Sequence, residues 1–123
     1  MPIPRIVSYL ESTDFEAVKS FYVHTLGLEV AMEDPDLPQF LGLSSRENSS
    51  AQIIVAAEGV EQPMPAFGVD VGDGPAVDAA HAAALRDGLE VVYPLTDEPW
   101  GIRRFFVRDP SGAVVNVLAH LEA

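Results

Sequence analysis

Few side chains in this sequence could carry out acid–base or nucleophilic chemistry. The 123 residues include three histidines and no cysteine. His24 ends a predicted helix, His81 lies among alanines on a second one, and His120 follows the last predicted strand. We therefore expect His24 to interact with the helix end, His81 to pack against its neighbours and His120 to be exposed to solvent. Glu11 and Asp70 are candidates for a general acid or base, but single carboxylates do not define an active site.

The aromatic residues give a stronger indication of a binding site. Trp100 is the sole tryptophan and lies between Pro99 and Gly101 in a predicted loop, where a core position is not expected. It is predicted to form a cleft wall or a subunit contact, and the sequence leaves both open. Other aromatic residues fall in predicted strands: Tyr9, Phe40, Phe67, Phe105 and Phe106. Because alternate strand residues face opposite sides, only one of the last two can face the cleft.

Charge and composition exclude several classes of partner. Nineteen acidic and seven basic residues give a net charge of −12, which argues against binding to nucleic acid or to anionic membranes. The acidic runs 33–36 and 97–98 could line a cleft for a cationic ligand, or could be solvated loops. No window approaches 18 apolar residues and the N-terminus lacks a signal-peptide pattern, so a cytoplasmic, bacterial protein is expected.

An internal repeat organises the chain. The string Gly-Leu-Glu-Val occurs at 27–30 and again at 88–91, an offset of 61 residues. Asp14 is predicted to cap a helix that runs to Thr25 and ends at Gly27. The second helix begins near Pro75, ends at Gly88 and has an apolar face formed by Val77, Ala80, His81, Ala84 and Leu85. Strands are predicted at 5–10, 28–32, 39–43, 51–57, 66–71, 90–95, 102–107 and 114–119. The pattern is βαβββ twice, with one module at 1–58, a linker at 59–65 and a second module at 66–123.

Two stretches carry a resemblance to a known family. They are Asp14-Phe-Glu-Ala17 with Phe21-Tyr22 and Leu26-Gly27-Leu28, and Pro99-Trp100-Gly101 with Phe105-Phe106-Val107-Arg108-Asp109-Pro110-Ser111-Gly112. Together with the paired modules they make the sequence similar to the vicinal oxygen chelate superfamily of glyoxalases, bleomycin-resistance proteins and extradiol dioxygenases. The resemblance implies an α+β fold in which two βαβββ modules form a curved mixed sheet around a cleft. It also implies a homodimer.

Enzymes of this superfamily hold a divalent metal ion with His, Gln or Glu side chains on four strands. Carried over by register, these positions fall on Val7, Val55, Met64 and Asn116, with Ala66 or Gly68 as alternatives for the third. Valine and methionine cannot replace such ligands, and one asparagine carbonyl is a weak ligand. We therefore expect neither a metal nor another cofactor, which places the sequence nearest the metal-free, bleomycin-resistance-like branch.

The expected function is the binding of a bulky aromatic or cationic small molecule in the cleft, with antibiotic sequestration as its role. The resemblance and the aromatic pattern give the candidate ligand-binding residues Trp100, Phe40, Tyr9, Met64, Phe105 and Asn116. Two alternatives stay open. One is a lyase, isomerase or dioxygenase-like enzyme of the same superfamily, and the other is a module that uses the cleft for a protein partner.

Overall fold

The computed structural model describes residues 2–122 and divides the chain into two compact units. The N-terminal unit is Val7–Gln62, and the C-terminal unit comprises the residues before Val7 and after Gln62. The order of elements is βαβββ in the first half and again in the second. The α+β fold expected from the repeat is confirmed.

In the N-terminal half, the strands are β1 (Arg5–Ser12), β2 (Glu29–Met32), β3 (Phe40–Ser44) and β4 (Ala51–Ala57). They are ordered β2-β3-β4-β1, and β3 is antiparallel to both of its neighbours. The helix α1 (Phe15–Lys19) follows β1, and its first turn is capped by Asp14, whose side chain accepts a hydrogen bond from the N–H of Ala17 at 3.0 Å. The prediction of this cap is confirmed.

The predicted first helix changes character after α1. Residues Ser20–Thr25 form a π-helix, in which the N–H of Leu26 bonds to the carbonyl of Phe21 five residues earlier. Gly27 then adopts φ +86°, the left-handed conformation that glycine tolerates best at a helix end. The helical segment thus ends where the sequence predicts, but its last six residues are not α-helical.

In the C-terminal unit, the elements are β5 (Phe67–Asp70), α2 (Gly74–Arg86), β6 (Val91–Glu98), β7 (Ile102–Arg108) and β8 (Val114–His120). The strands are ordered β5-β8-β7-β6. The pair β5/β8 is parallel, whereas β6/β7 and β7/β8 are antiparallel. Strand β6 extends three residues beyond its predicted end at Leu95. This extension makes Glu98 a strand residue rather than part of a loop.

Helix α2 covers one face of the C-terminal sheet. Asp73 caps it by accepting a hydrogen bond from the N–H of Ala76 at 2.9 Å. The buried cluster between α2 and the sheet consists of Val71, Val77, Ala84, Phe105, Val107, Val115, Val117 and Ala119. Val77 and Ala84 are contributed by α2 itself. The prediction that Leu85 belongs to the apolar face is wrong, because that side chain is 58% exposed. Neither helix in residues 2–122 has the length and hydrophobicity needed to cross a membrane.

Candidate functional site

The face of the C-terminal sheet opposite α2, here called the distal face, carries most of the polar residues buried in this unit. Because Phe105 and Val107 pack beneath α2, alternation along β7 places Arg104 and Phe106 on the distal face. Asn116 lies directly across from Phe106 in the β7/β8 register and belongs to the same face. Arg104 is 6% exposed and Asn116 is 1% exposed. Buried polar groups of this kind persist only when they are hydrogen-bonded or paired.

An ion pair between Arg104 and Glu98 is the centre of this face. Both Nε and Nη2 of Arg104 lie 2.7 Å from Oε2 of Glu98. The hydroxyl of Tyr93 donates a third hydrogen bond to the same oxygen at 2.8 Å. The two charged side chains are 7% and 8% exposed, so water screens their attraction little. Here the name "cluster" is used for Tyr93, Glu98, Trp100, Arg104 and Phe106.

Three aromatic rings surround the guanidinium of Arg104. Its central carbon lies 5.1 Å from the ring centroid of Tyr93, 5.5 Å from that of Trp100 and 5.0 Å from that of Phe106. These distances are within the range of cation–π attraction. The rings of Tyr93 and Phe106 also lie 4.7 Å apart. Trp100 lies at the turn after β6 and is half-buried.

A second polar group lies towards β5 in the same unit. Nε of Arg5 donates to Oδ2 of Asp70 at 3.0 Å, and Nη2 of Arg5 lies 3.0 Å from Nε2 of His120. His120 is exposed, as expected, but it is the last residue of β8 rather than a residue beyond the strand, and it contacts Arg5. Asp70, considered above as an acid–base candidate, forms an ion pair with Arg5.

Among the predicted ligand-binding residues, Trp100 and Asn116 lie on the distal face. Phe105 does not: it is fully buried beneath α2, with its ring edge-to-face against His81 at 5.0 Å. The prediction of Phe105 as a ligand contact is therefore corrected, and Phe106 is the residue that faces the other way. Met64 is half-buried in the segment that precedes β5.

The remaining two candidates belong to the N-terminal unit. Phe40 is 8% exposed on β3 and alternates with Leu41, which packs under the helical segment. Tyr9 is half-buried on β1 and alternates with Leu10, which also contacts that core. Both aromatic residues thus face away from α1 within their own unit.

The acidic residues at 97–98 are compensated by neighbouring arginines. Asp97 accepts hydrogen bonds from Nε and Nη2 of Arg103 at 2.7 and 3.2 Å, and these bonds lower the pKa of its carboxyl group. Glu98 is neutralised by Arg104 in the same way. In the other acidic run, Glu33 bonds to Lys19 at 2.6 Å. The distal face therefore presents no excess negative charge from residues 97–98.

The residues at the register of the superfamily's metal ligands do not fit a divalent ion. Val55 packs with Leu41 and Leu43 beneath the helical segment, so it faces away from any site on the other side of β4. The predicted position is corrected to its neighbours Ile54 and Ala56, which offer no donor atom either. On β5 the residue across from Asn116 is Gly68 rather than Met64. Within residues 2–122, no group of three or more His, Cys, Asp or Glu could hold a metal ion.

Arg104, Tyr93 and the pairing of Glu98 were not predicted from the sequence. A signal was available, because an arginine directly before two phenylalanines in a strand must bury charge on one face or the other. The pair was not predicted because the sequence placed the end of β6 too early. With the strand ending at Leu95, Glu98 falls in a loop and has no cross-strand relation to β7.

A family model supports the fold described above. The model of the Glyoxalase/Bleomycin resistance protein/Dioxygenase superfamily matches residues 5–117, which is most of the chain. The chain belongs to this superfamily. No curated protein sequence matches it significantly.

Several solved structures share the superfamily fold with this chain. One is described as an NAD-dependent benzaldehyde dehydrogenase from Legionella pneumophila, with a TM-score of 0.75, 14% identity and coverage of 94% of this chain and 98% of that one. A superfamily member from Vibrio splendidus has a TM-score of 0.64, 18% identity and coverage of 96% and 99%. At these identities the likeness shows the fold alone.

A third similar structure belongs to a longer protein. A variant of homoprotocatechuate 2,3-dioxygenase from B. fuscum is 25% identical, with a TM-score of 0.66 and coverage of 97% of this chain. The alignment spans only 34% of that longer chain.

Proposed function

We propose that this superfamily member binds a planar aromatic small molecule on the distal face, beside Trp100, and sequesters it without turnover. The observation that carries the proposal is the half-buried indole of Trp100 next to the Arg104–Glu98 pair. A half-buried ring fixed beside a buried polar group offers both stacking surface and hydrogen-bonding capacity. Small-molecule sites in proteins combine these two properties.

The cluster is well suited to hold Trp100 in a fixed orientation. The guanidinium of Arg104 contacts the rings of Trp100, Tyr93 and Phe106, and it is itself held by two hydrogen bonds to Glu98. A ring held by such a network loses little conformational freedom when a ligand stacks on it. Preorganisation of this kind raises affinity because less entropy is lost on binding.

Sequestration is proposed rather than catalysis because of how the cluster uses its polar groups. The buried carboxylate is engaged by one arginine and one tyrosine, and the cluster includes no histidine, cysteine or serine. The superfamily includes bleomycin-resistance proteins by its description, and sequestration of an aromatic antibiotic is the biological role that we propose for this chain. We extend the proposal to a homodimer, which the resemblance favours.

Trp100 allows a direct test, since a single tryptophan gives a single indole N–H resonance. In a titration of ¹⁵N-labelled protein with planar aromatic compounds, a binding compound should shift this resonance. Stacking contributes about 0.5–2 kcal/mol, so Trp100→Ala should weaken binding by about two- to thirtyfold when measured by calorimetry.

Phe21→Ala is the matched control, because Phe21 is 49% exposed on the π-helix of the N-terminal unit, outside the cluster. It should leave affinity unchanged. A compound that binds tightly while the Trp100 resonance stays fixed, and that binds Trp100→Ala equally well, would overturn the proposal.

A further inference from the structure

We propose that Asp87 is a site of spontaneous modification, at which its bond to Gly88 rearranges from an aspartyl to an isoaspartyl linkage and thereby opens the end of α2. The reaction needs no enzyme and no cofactor, and the inference is independent of the proposed ligand. Its basis is a difference between the two Asp-Gly sequences of this chain, 73–74 and 87–88, which lie at opposite ends of α2. The fold protects the first bond and leaves the second one accessible.

Isoaspartate forms through a succinimide ring. The main-chain nitrogen of Gly88 attacks Cγ of the protonated Asp87 carboxyl group, so that an N–Cγ bond forms and the carboxyl hydroxyl leaves as water with the amide hydrogen. Water then opens the ring. Attack at Cγ restores aspartate, whereas attack at the main-chain carbonyl carbon breaks its bond to nitrogen and leaves the chain continuing through the side chain. One water is released and one is consumed, and nothing is oxidised or reduced.

The residues that must react, Asp87 and Gly88, are both exposed to solvent. The Asp87 side chain is 61% exposed, and within residues 2–122 the only partner of its carboxylate is Arg86, whose Nε lies 3.7 Å from Oδ1. An exposed pair of this kind holds a side chain weakly. Among the described residues, none beyond the chain neighbours has an atom within 4 Å of the position that a Cβ on Gly88 would occupy. Ring closure therefore meets no packed group.

The bond between Asp73 and Gly74 has the opposite surroundings. The carboxylate of Asp73 caps α2 by accepting a hydrogen bond from the N–H of Ala76 at 2.9 Å. Gly74 is buried, and a Cβ at this position would lie 3.1 Å from Nη1 of Arg103 and 3.2 Å from Cδ2 of Leu121. Ring closure at this bond requires both the loss of the helix cap and movement of the backbone against packed side chains.

The N–H of Gly88 must leave its own hydrogen bond before the nitrogen can react. It donates to the carbonyl of Leu85 at 3.1 Å, and the N–H of Leu89 donates to the carbonyl of Ala84 at 3.0 Å. These two bonds form the Schellman motif that ends α2. Bonds in an exposed last turn open at low cost in a folded protein. Isomerisation adds one backbone atom between the donors and acceptors of both bonds, so the motif cannot close again.

The two Asp-Gly bonds are compared in one sample of the unmodified protein. Folded protein and protein unfolded in urea are kept in mildly acidic buffer at physiological temperature, and electron-transfer mass spectrometry of proteolytic peptides measures isoaspartate at both positions. Each rate in the folded protein is divided by the rate of the same bond in urea, which removes the effect of neighbouring sequence. Folding should slow the reaction at Asp73 at least about fivefold more than at Asp87, the factor that corresponds to the loss of a helix N-cap.

Asp87→Glu is the matched variant, because glutamate keeps the charge but cannot form the succinimide ring. The modified fraction of the original protein should have a Tm lower by about 1–7 °C, since the motif that ends α2 is lost. The variant, aged in the same way, should keep its Tm. An equal decrease in both proteins would refute the opening of the helix end.

The rates on the unmodified protein decide the site itself, whatever the variant does. Equal slowing at the two bonds, or stronger slowing at Asp87, would overturn the assignment. So would the absence of isoaspartate at Asp87 in the folded protein when it forms there in urea.

Discussion

The stability of the protein should depend strongly on Glu98 and weakly on its neighbour Asp97. Each acid pairs with an arginine of β7, Glu98 with Arg104 and Asp97 with Arg103. The substitutions Glu98→Gln and Asp97→Asn each remove one negative charge and change the side-chain volume little. The two variants therefore differ mainly in the surroundings of the lost charge.

The expected magnitudes follow from burial. In the pair Arg104–Glu98 the side chains are 7% and 8% exposed, whereas in Arg103–Asp97 they are 26% and 54% exposed. Removing one partner of a buried ion pair costs about 3–5 kcal/mol, because the attraction that offsets the desolvation of the other charge is lost. An exposed pair contributes about 0–1 kcal/mol. Asp97→Asn should accordingly change the free energy of unfolding by less than about 1 kcal/mol.

Denaturant and thermal unfolding would measure the difference. For a chain of this length, about 1 kcal/mol corresponds to roughly 3–5 °C in Tm, so Glu98→Gln should lower Tm by about 10–20 °C. Equal Tm values for the two single variants would refute the assignment of Glu98 and Arg104 as a structurally buried pair.

Three further predictions concern metal, association and acid. Purified protein should contain no stoichiometric divalent metal by elemental analysis, because Val7, Gly68 and Asn116 cannot supply a ligand set; one bound nickel, zinc, iron or manganese per chain would contradict this. Light scattering at micromolar concentration should show a dimer rather than a 13.2 kDa monomer, as the proposed homodimer requires. Hydrogen bonds from Ser111 and from backbone N–H groups lower the pKa of Asp109 in the folded state. The ionised carboxylate therefore stabilises the fold fully above the pKa of an unfolded aspartate, about 3.9. This stabilisation is lost as the pH falls through the lower pKa of the folded state. Asp109→Asn should therefore flatten the decrease in Tm between about pH 5 and pH 2 that the original protein shows, and an unchanged pH profile would count against this contribution.

The repeat and the helix ends could be predicted from the sequence because they depend on local chemistry. Asp14 lies where a capping side chain is needed, and Gly27 and Gly88 adopt φ values of +86° and +71° at the two helix ends. Periodicity also identified all eight strands to within a few residues. The π-helix could not be predicted, since a shift from four- to five-residue hydrogen bonds has no strong compositional signal.

The site could be predicted only in part because it depends on the relation between strands. Trp100 and Asn116, which lie on the distal face, were predicted as ligand-binding residues from a loop motif and a strand register. The choice between Phe105 and Phe106 depends on the face that α2 covers, which the sequence of β7 does not reveal. Val55 was misplaced by one residue for the same reason, and a shift of one residue along a strand moves a side chain to the other face.

The net charge of −12 is a poor guide to the ligand of this protein. Total charge gives the long-range field, which attracts cations to the surface but is weakened by salt over about 8–10 Å. Selection at a buried site depends instead on the charges in contact with the ligand. In the cluster these are one arginine and one glutamate joined at 2.7 Å, and the next acid along β6, Asp97, is compensated by Arg103. Salt should therefore have little effect on the affinity of a neutral ligand for this face, whereas a strong decrease in affinity with salt would place binding on the acidic surface elsewhere.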